Sequence, residues 1–182
     1  GLVAGGKRLW SYQSCMSHGC YVSSTEECDR GWPSYMVDHT AIRNRIMGWQ
    51  TYRYDLSGEL YFDVNYAYGN SDPWVTQLHF GGNGDGNLYY PGRPDRIGGT
   101  THIPIESIRL KQIRDGLEDY EYLRLLDQKV GRATVLSLIG PVLTNTYTYT
   151  TSPTDLLSLR TAIGRAIAGV DGGQLTIDDV SE

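Results

Sequence analysis

The sequence predicts an α/β fold, a parallel sheet with crossover helices, followed by extra C-terminal helices. Three observations lead there. In Ser107–Leu126, SIRLKQIRDGLEDYEYLRLL, residues Leu110, Ile113, Leu117, Tyr120 and Leu123 fall on one helical stripe. Directly before it lies a glycine-rich, tyrosine-bearing turn, GDGNLYYPG (Gly84–Gly92). Along the chain the order is strand, loop, helix, strand, long loop, helix, and strands alternating with helices argue for crossover connections.

The first strand is Lys7–Ser14, KRLWSYQS, with Trp10 and Tyr12 on the same face because side chains alternate along a strand. Met16–Tyr35 reads as a long loop broken by Gly19, Gly31 and Pro33. A helix is expected over His39–Arg53, capped by Asp38. Ile42, Ile46, Trp49 and Arg53 share one face, and Arg43 and Arg45 turn away. After a turn at Leu56–Gly58, the alternating ELYFDVNY (Glu59–Tyr66) is the second strand.

Tyr68–Ile103 is long and irregular, holding GNSDP, GGNGDG and PGRPD, with a short extended piece at Asn87–Tyr90. The earlier Met16–Tyr35 loop is long for a simple connection, and long loops are often functional. The major helix spans about Glu106–Lys129. Gly116 in its middle costs about 1 kcal/mol relative to Ala, a cost that points to close packing. Two shorter helices follow, about Ala133–Leu143 and Thr154–Ala168, the latter capped by Thr154. Residues 1–170 read as one unit and 171–182 as an acidic tail. Two βα units do not close an α/β sheet, and a (β/α)₈ barrel takes about 250 residues. The chain therefore reads as the C-terminal half of a larger fold.

Of 182 residues, 14 are Tyr, 4 Trp and only 2 Phe. Tyr and Trp join an apolar body to a polar edge, which suits interfaces, carbohydrate sites and ordinary cores alike. A net charge of −5 and the lack of a basic run argue against nucleic acid as a partner. No apolar stretch approaches the roughly 20 residues that span a bilayer. Gly1–Trp10 lacks the apolar core of a signal peptide.

Cys15, Cys20 and Cys28 are odd in number, so one internal pair at most can form. Cys15, His18 and Cys20 lack the further ligands of a zinc site. GGNGDGNLY (Gly81–Tyr89) follows the calcium-binding nonapeptide pattern except that Gly86 stands where Asp is needed, and there is one copy. No cofactor or metal is expected. The acids Asp115, Glu118, Asp119 and Glu121 read as a solvated helix face paired with Arg109, Arg114 and Arg124 rather than as a catalytic pair.

In α/β barrels the chemistry sits at the carboxyl ends of the strands. That rule selects Gln13–Cys15, Asn65–Tyr68 and Asp85–Tyr90. Asn65 can bond sugar hydroxyls or an amide. Asp85 either accepts from two adjacent hydroxyls or serves the turn between its glycines. Tyr12, Tyr61, Tyr68, Trp74 and Tyr90 offer stacking faces, though Tyr61 is better suited to filling the barrel.

GELYFDVNYAY (Gly58–Tyr68), GDGNLYYPG and IPIESIRLKQIRDGLEDYEYLRLL (Ile103–Leu126) together resemble the catalytic domain of family 123 glycoside hydrolases. LWSYQSC (Leu9–Cys15), PSYMVDH (Pro33–His39) and TSPTDLLSLRTAIGRAI (Thr151–Ile167) extend the resemblance. It implies the C-terminal part of a (β/α)₈ TIM-type barrel and hydrolysis of terminal β-N-acetylhexosamine, GalNAc above all. The mechanism it implies is retaining and substrate-assisted, an exception to the usual two-carboxylate scheme. An Asp-Glu pair would do the chemistry, and this chain contains no Asp-Glu dipeptide. No catalytic acid is therefore assigned. The resemblance transfers a supporting wall for the substrate: Tyr12, Tyr61, Asn65, Asp85 and Tyr90. At Phe62 relatives often carry Trp. It also implies a carbohydrate partner, a missing barrel half or completing chain, and a secreted or periplasmic setting. The rival expectation is a non-catalytic carbohydrate-binding or structural piece.

Overall fold

The computed structural model describes residues 5–14 and 31–169. Cys15, His18, Cys20, Cys28 and the acidic tail lie outside the described residues.

Strand β1 (Trp10–Tyr12) pairs in parallel with β2 (Gly58–Leu60), with Trp10 opposite Gly58 and Tyr12 opposite Leu60. Helix α1 (Ala41–Arg53) connects them, giving the expected βαβ order. Both strands are shorter than the alternating pattern suggests. The chain leaves β2 at Tyr61 and then forms a 3₁₀ turn at Tyr66–Gly69.

The segment expected to be irregular contains more structure than its glycines and prolines imply. β3 (Leu78–His79) and β4 (Gly82–Asn83) make a tight hairpin. β5 (Tyr89–Gly92) pairs antiparallel with β6 (Ile103–Glu106), with the short helix α2 (Pro94–Ile97) between them. Among the described residues the expected parallel sheet is thus limited to β1–β2, and the other two strand pairs are antiparallel. The expected extended piece Asn87–Tyr90 is shifted by two residues. Its strand partner, Ile103–Glu106, overlaps the place where the major helix was expected to begin.

That helix, α3 (Ile108–Val130), starts after Ser107, whose hydroxyl accepts from the Leu110 amide at 3.3 Å. An N-cap of this kind satisfies one of the orphan donors of the first turn. α4 (Arg132–Ile139) and α5 (Pro153–Ala168) follow. Ser152, not Thr154, caps α5, accepting from the Asp155 amide, and Pro153 occupies the first helical position where its missing N–H costs nothing. Asp38 does not cap α1. Thr40 stands at that position, and Asp38 instead accepts from the Asn83 side chain at 3.2 Å.

Two apolar clusters hold the molecule together. The larger joins Ile42, Ile46, Trp49 and Tyr52 of α1 to Leu123 and Leu126 of α3, Val135 and Ile139 of α4, and Leu156, Leu159 and Ile163 of α5. Each such side chain, fully withdrawn from water, contributes about 1.5–3 kcal/mol. The smaller cluster has Tyr35, Met47 and Leu88 at its centre, with Tyr61, Tyr89, Leu110 and Ile113 packed around it. Leu117 is the exception to the predicted α3 stripe and is 58% exposed. The stripe is interrupted where α3 meets α1. There Gly116 faces α1 and Leu117 borders an open groove that Leu56 and Tyr120 also line.

The crossing explains the mid-helix glycine. A Cβ on Gly48 would lie 1.9 Å from the Gly116 carbonyl oxygen, and one on Gly116 would lie 2.4 Å from that of Arg45. Both obstacles are backbone, so the helices themselves would have to separate. We expect Gly48→Ala to cost about 1–3 kcal/mol despite its better helix propensity. Urea denaturation checks this, and an unchanged or raised midpoint would contradict the close crossing.

Candidate functional site

Strand alternation divides the predicted site residues between two faces. Tyr12 lies opposite Leu60, so both point to one side, together with Trp10; Tyr12 is 46% and Leu60 51% exposed. Tyr61 follows Leu60 and turns the other way, into the smaller cluster against Tyr35 at 5.1 Å in edge-to-face geometry. The structure therefore does not bring Tyr12 and Tyr61 onto one wall.

Tyr61 meets the glycine-rich turn instead. Its hydroxyl accepts from the Gly86 amide at 2.8 Å and donates to Asp85 Oδ1 at 3.3 Å. Burial, and secondarily the Asp85 charge, hold the Tyr61 phenol well above its usual range, so it stays a donor. Asp85 is buried and fixes the turn around Tyr61. Asn65 is exposed, and its backbone bridges to Asn87, which ties the segment after β2 to the same turn.

Arg109, on the first turn of α3, organises this turn from beneath. Its guanidinium donates to the carbonyls of Tyr35 and Gly84, both at 2.6 Å, to Asn87 O, and to Gln77 Oε1 at 3.2 Å. Burial pulls its pKa down, opposed by the nearby Tyr61 and Tyr90 oxygens. Gln77 then donates to the Tyr90 hydroxyl at 2.6 Å, and the Tyr90 ring packs against Trp74 at 4.8 Å, tilted by 40°. Trp74 donates its indole N–H to Pro91 O at 2.8 Å and remains 40% exposed. Hydrogen bonds thus link Tyr90 through Gln77, Arg109 and the Gly84 carbonyl to Tyr61 and Asp85, and Trp74 joins them by its ring contact with Tyr90. Tyr68, at the end of the 3₁₀ turn, is exposed. The buried Asn87 Oδ1 has no hydrogen-bond partner.

Sequence reasoning assigned Arg109 to the acids of its own helix and so missed this role. The signal was its position two residues after the Ser107 cap, within reach of the loop that the cap terminates. It also missed Glu59. Alternation places Glu59 and Tyr61 on one side of the chain, and the Tyr35 hydroxyl bonds the Glu59 carboxyl. Burial raises that carboxyl to about 7. A carboxyl poised there is the usual requirement of a glycosidase acid. Here it bonds a buried tyrosine, and its Oε1 is sealed from solvent. Glu59 is accordingly a structural carboxyl beneath the site.

Among the described residues, no group of three or more His, Cys, Asp or Glu gathers as a metal ion requires, and no helix is long and apolar enough to cross a membrane.

The fold and this tyrosine- and tryptophan-bearing turn fall within a recognised catalytic domain. Residues 9–126 match the family described as glycoside hydrolase 123, catalytic domain, and the chain belongs to that family. The match runs from β1 into α3 and ends at Leu126, so the expected likeness over Thr151–Ile167 lies beyond it. No curated protein matches the chain.

Proposed function

We propose that this chain forms the C-terminal wall of a retaining, substrate-assisted glycoside hydrolase that releases terminal β-linked N-acetylhexosamine, with GalNAc as its sugar. The match over residues 9–126 carries this reading. In the proposed reaction the substrate's 2-acetamido oxygen attacks its own anomeric carbon. An Asp stabilises the resulting oxazolinium ion, and a Glu protonates the leaving oxygen and then activates water. This chain has no Asp-Glu dipeptide, so on this reading the pair is supplied by residues other than these 182.

The exposed apolar face of β1–β2 supports the barrel. Parallel strands are normally covered on both sides. One side here carries α1 and α3. On this reading the other, with Trp10, Tyr12 and Leu60, is the lumen side that the remaining barrel strands cover, whether in one polypeptide or in a completing chain. Tyr12 then faces the lumen and Tyr61 braces the wall from behind.

Exposed Trp74, backed by half-buried Tyr90, is the stacking surface of this wall. We expect Trp74→Ala to weaken sugar binding about tenfold, as loss of a stacking aromatic does, while the melting temperature stays near wild type. Titration with methyl β-N-acetylgalactosaminide, beside an assay on an aryl β-GalNAc, measures both. Equal affinity in Trp74→Ala removes Trp74 from the site. Binding without turnover even when the Asp-Glu-bearing segment is supplied favours the second reading, a non-catalytic carbohydrate-binding piece. That reading draws on the same exposed aromatics and the lack of an acid pair.

A further inference from the structure

The β3–β4 hairpin carries an unusual residue at its tip. Leu78 pairs with Asn83 and His79 with Gly82, leaving Phe80-Gly81 as a two-residue loop. Both have positive φ, 52° and 79°, the signature of a type I′ turn. The first position of that turn favours Asn, Asp or Gly; a bulky aromatic there is a conformational outlier. Outliers of this kind persist where the surroundings over-determine them, and they cluster at functional sites.

The surroundings are visible. The Phe80 ring lies 4.5 Å from Tyr66 and 6.0 Å from Phe62, and Phe62 lies 5.9 Å from Tyr66. Gly86 makes room for it: a Cβ there would sit 3.1 Å from the Phe80 ring. The hairpin is pinned from its far side by His79, which bonds the Ser71 hydroxyl at 3.2 Å and meets the Tyr66 ring at 5.6 Å. Phe80 remains half-buried and Phe62 is 47% exposed, so the cluster presents ring surface outward. It stands just past the carboxyl end of β2, beside Asn65, where ligands of α/β sheets bind.

We propose that Phe80 is a specificity-determining residue of the sugar site, an aromatic platform that stacks on the apolar C–H face of a pyranose and is carried into place by a strained hairpin tip. The inference rests on the glycoside hydrolase reading above. It adds a residue that neither strand alternation nor the family match assigns. A pyranose is the fitting occupant because its axial hydrogens make one face apolar while its rim hydroxyls can reach the amide of Asn65. A sugar whose presented face carries an axial hydroxyl there would be rejected.

The turn supplies its own control. Phe80→Asn installs Asn-Gly, the preferred type I′ pair, and removes the ring. Wild type, Phe80→Asn and Phe80→Tyr are titrated with methyl β-N-acetylgalactosaminide by NMR, and their melting temperatures are measured. Expected are a melting temperature for Phe80→Asn at or above wild type, a dissociation constant at least tenfold weaker, and affinity near wild type for Phe80→Tyr. A Phe80→Asn protein that melts lower yet binds equally well assigns Phe80 to packing and overturns the proposal. If Phe80→Asn does not fold, Phe80→Tyr and Phe80→Leu decide: equal affinity in the two overturns it, and loss in Leu alone supports it. The titrations are made with the Asp-Glu-bearing segment supplied; failure of the wild type to bind the glycoside in that form overturns the function reading and this proposal together, and is seen before any variant is compared.

Discussion

Asp119→Ala is expected to destabilise the protein by about 3–5 kcal/mol, the cost of stranding buried charges that have lost their partner. Asp119 lies on α3 with no side-chain exposure. Its carboxylate accepts from Arg45 Nε at 2.6 Å and Nη2 at 2.9 Å, from Trp49 Nε1 at 2.9 Å, and from Arg160 Nε at 2.5 Å. One side chain thus ties α1 and α5 to α3. The paired forks of Arg45 are the geometry in which a guanidinium and a carboxylate bind most strongly. Removing the acid leaves Arg45 beside Asp115 alone, at 3.6 Å, and leaves the Trp49 N–H orphaned in the core. Asp119→Asn keeps the shape and part of the hydrogen bonding, so it should cost less than Ala. Urea midpoints of the two variants read the effect. A loss for Asp119→Ala below about 1 kcal/mol, the range of an exposed pair, would sink the idea of a buried hub.

Glu59→Gln should change how stability depends on pH. The Glu59 carboxyl is raised from 4.5 to about 7, first by burial, with the Tyr35 hydrogen bond acting in the opposite direction. A carboxyl with a raised folded pKa holds its proton in the native state after the unfolded chain has released it. Between pH 4.5 and 7 the native state therefore binds more protons, and stability falls as pH rises. The contribution is fully present below the unfolded value and is lost as pH climbs through about 7. Its size is on the order of 3 kcal/mol at one pKa unit per 1.36 kcal/mol. The groups around the carboxyl are Tyr35 and, behind it, Tyr61; both phenols are held above their usual range by burial and stay neutral throughout this window. Gln carries no charge at any pH and can still accept from Tyr35. Glu59→Gln should match wild type near pH 4.5 and exceed it at pH 8. Urea midpoints of both proteins at the two pH values test this, and a constant difference between them rules out Glu59 as the titrating group.

The βαβ order, α1, α3 and the body of α5 were legible because they depend on local rules. Apolar residues at helical spacing, alternating strands and turn-forming glycines act within a few residues of one another. Gly116 was likewise readable as a point of close packing, because a glycine in a long helix costs stability unless a neighbour needs the space. The family resemblance also rested on contiguous stretches, GELYFDVNYAY and the motif from Ile103 to Leu126, and the match over 9–126 bears it out. The barrel, the sugar and the mechanism attached to that resemblance remain proposals.

What the tertiary structure decided is where charged and aromatic side chains end up. Arg45 and Asp119 looked like solvent-facing residues because helical periodicity counts one buried face per helix. α3 is gripped by α1 and α5 at once, and the pair is buried between them. Arg109 was assigned to its neighbours on α3, but Gly84, Gln77 and Asn87 come to it from more than 20 residues away in sequence. Tyr12 and Tyr61 looked equivalent as strand tyrosines until the register of β1 on β2 put them on opposite faces. The sequence by itself determined the family and the elements outside Tyr68–Glu106, since both are carried by short-range patterns. Which residues share a site was settled only by long-range pairing, because a burial partner or a hydrogen bond across the fold leaves no trace in local periodicity.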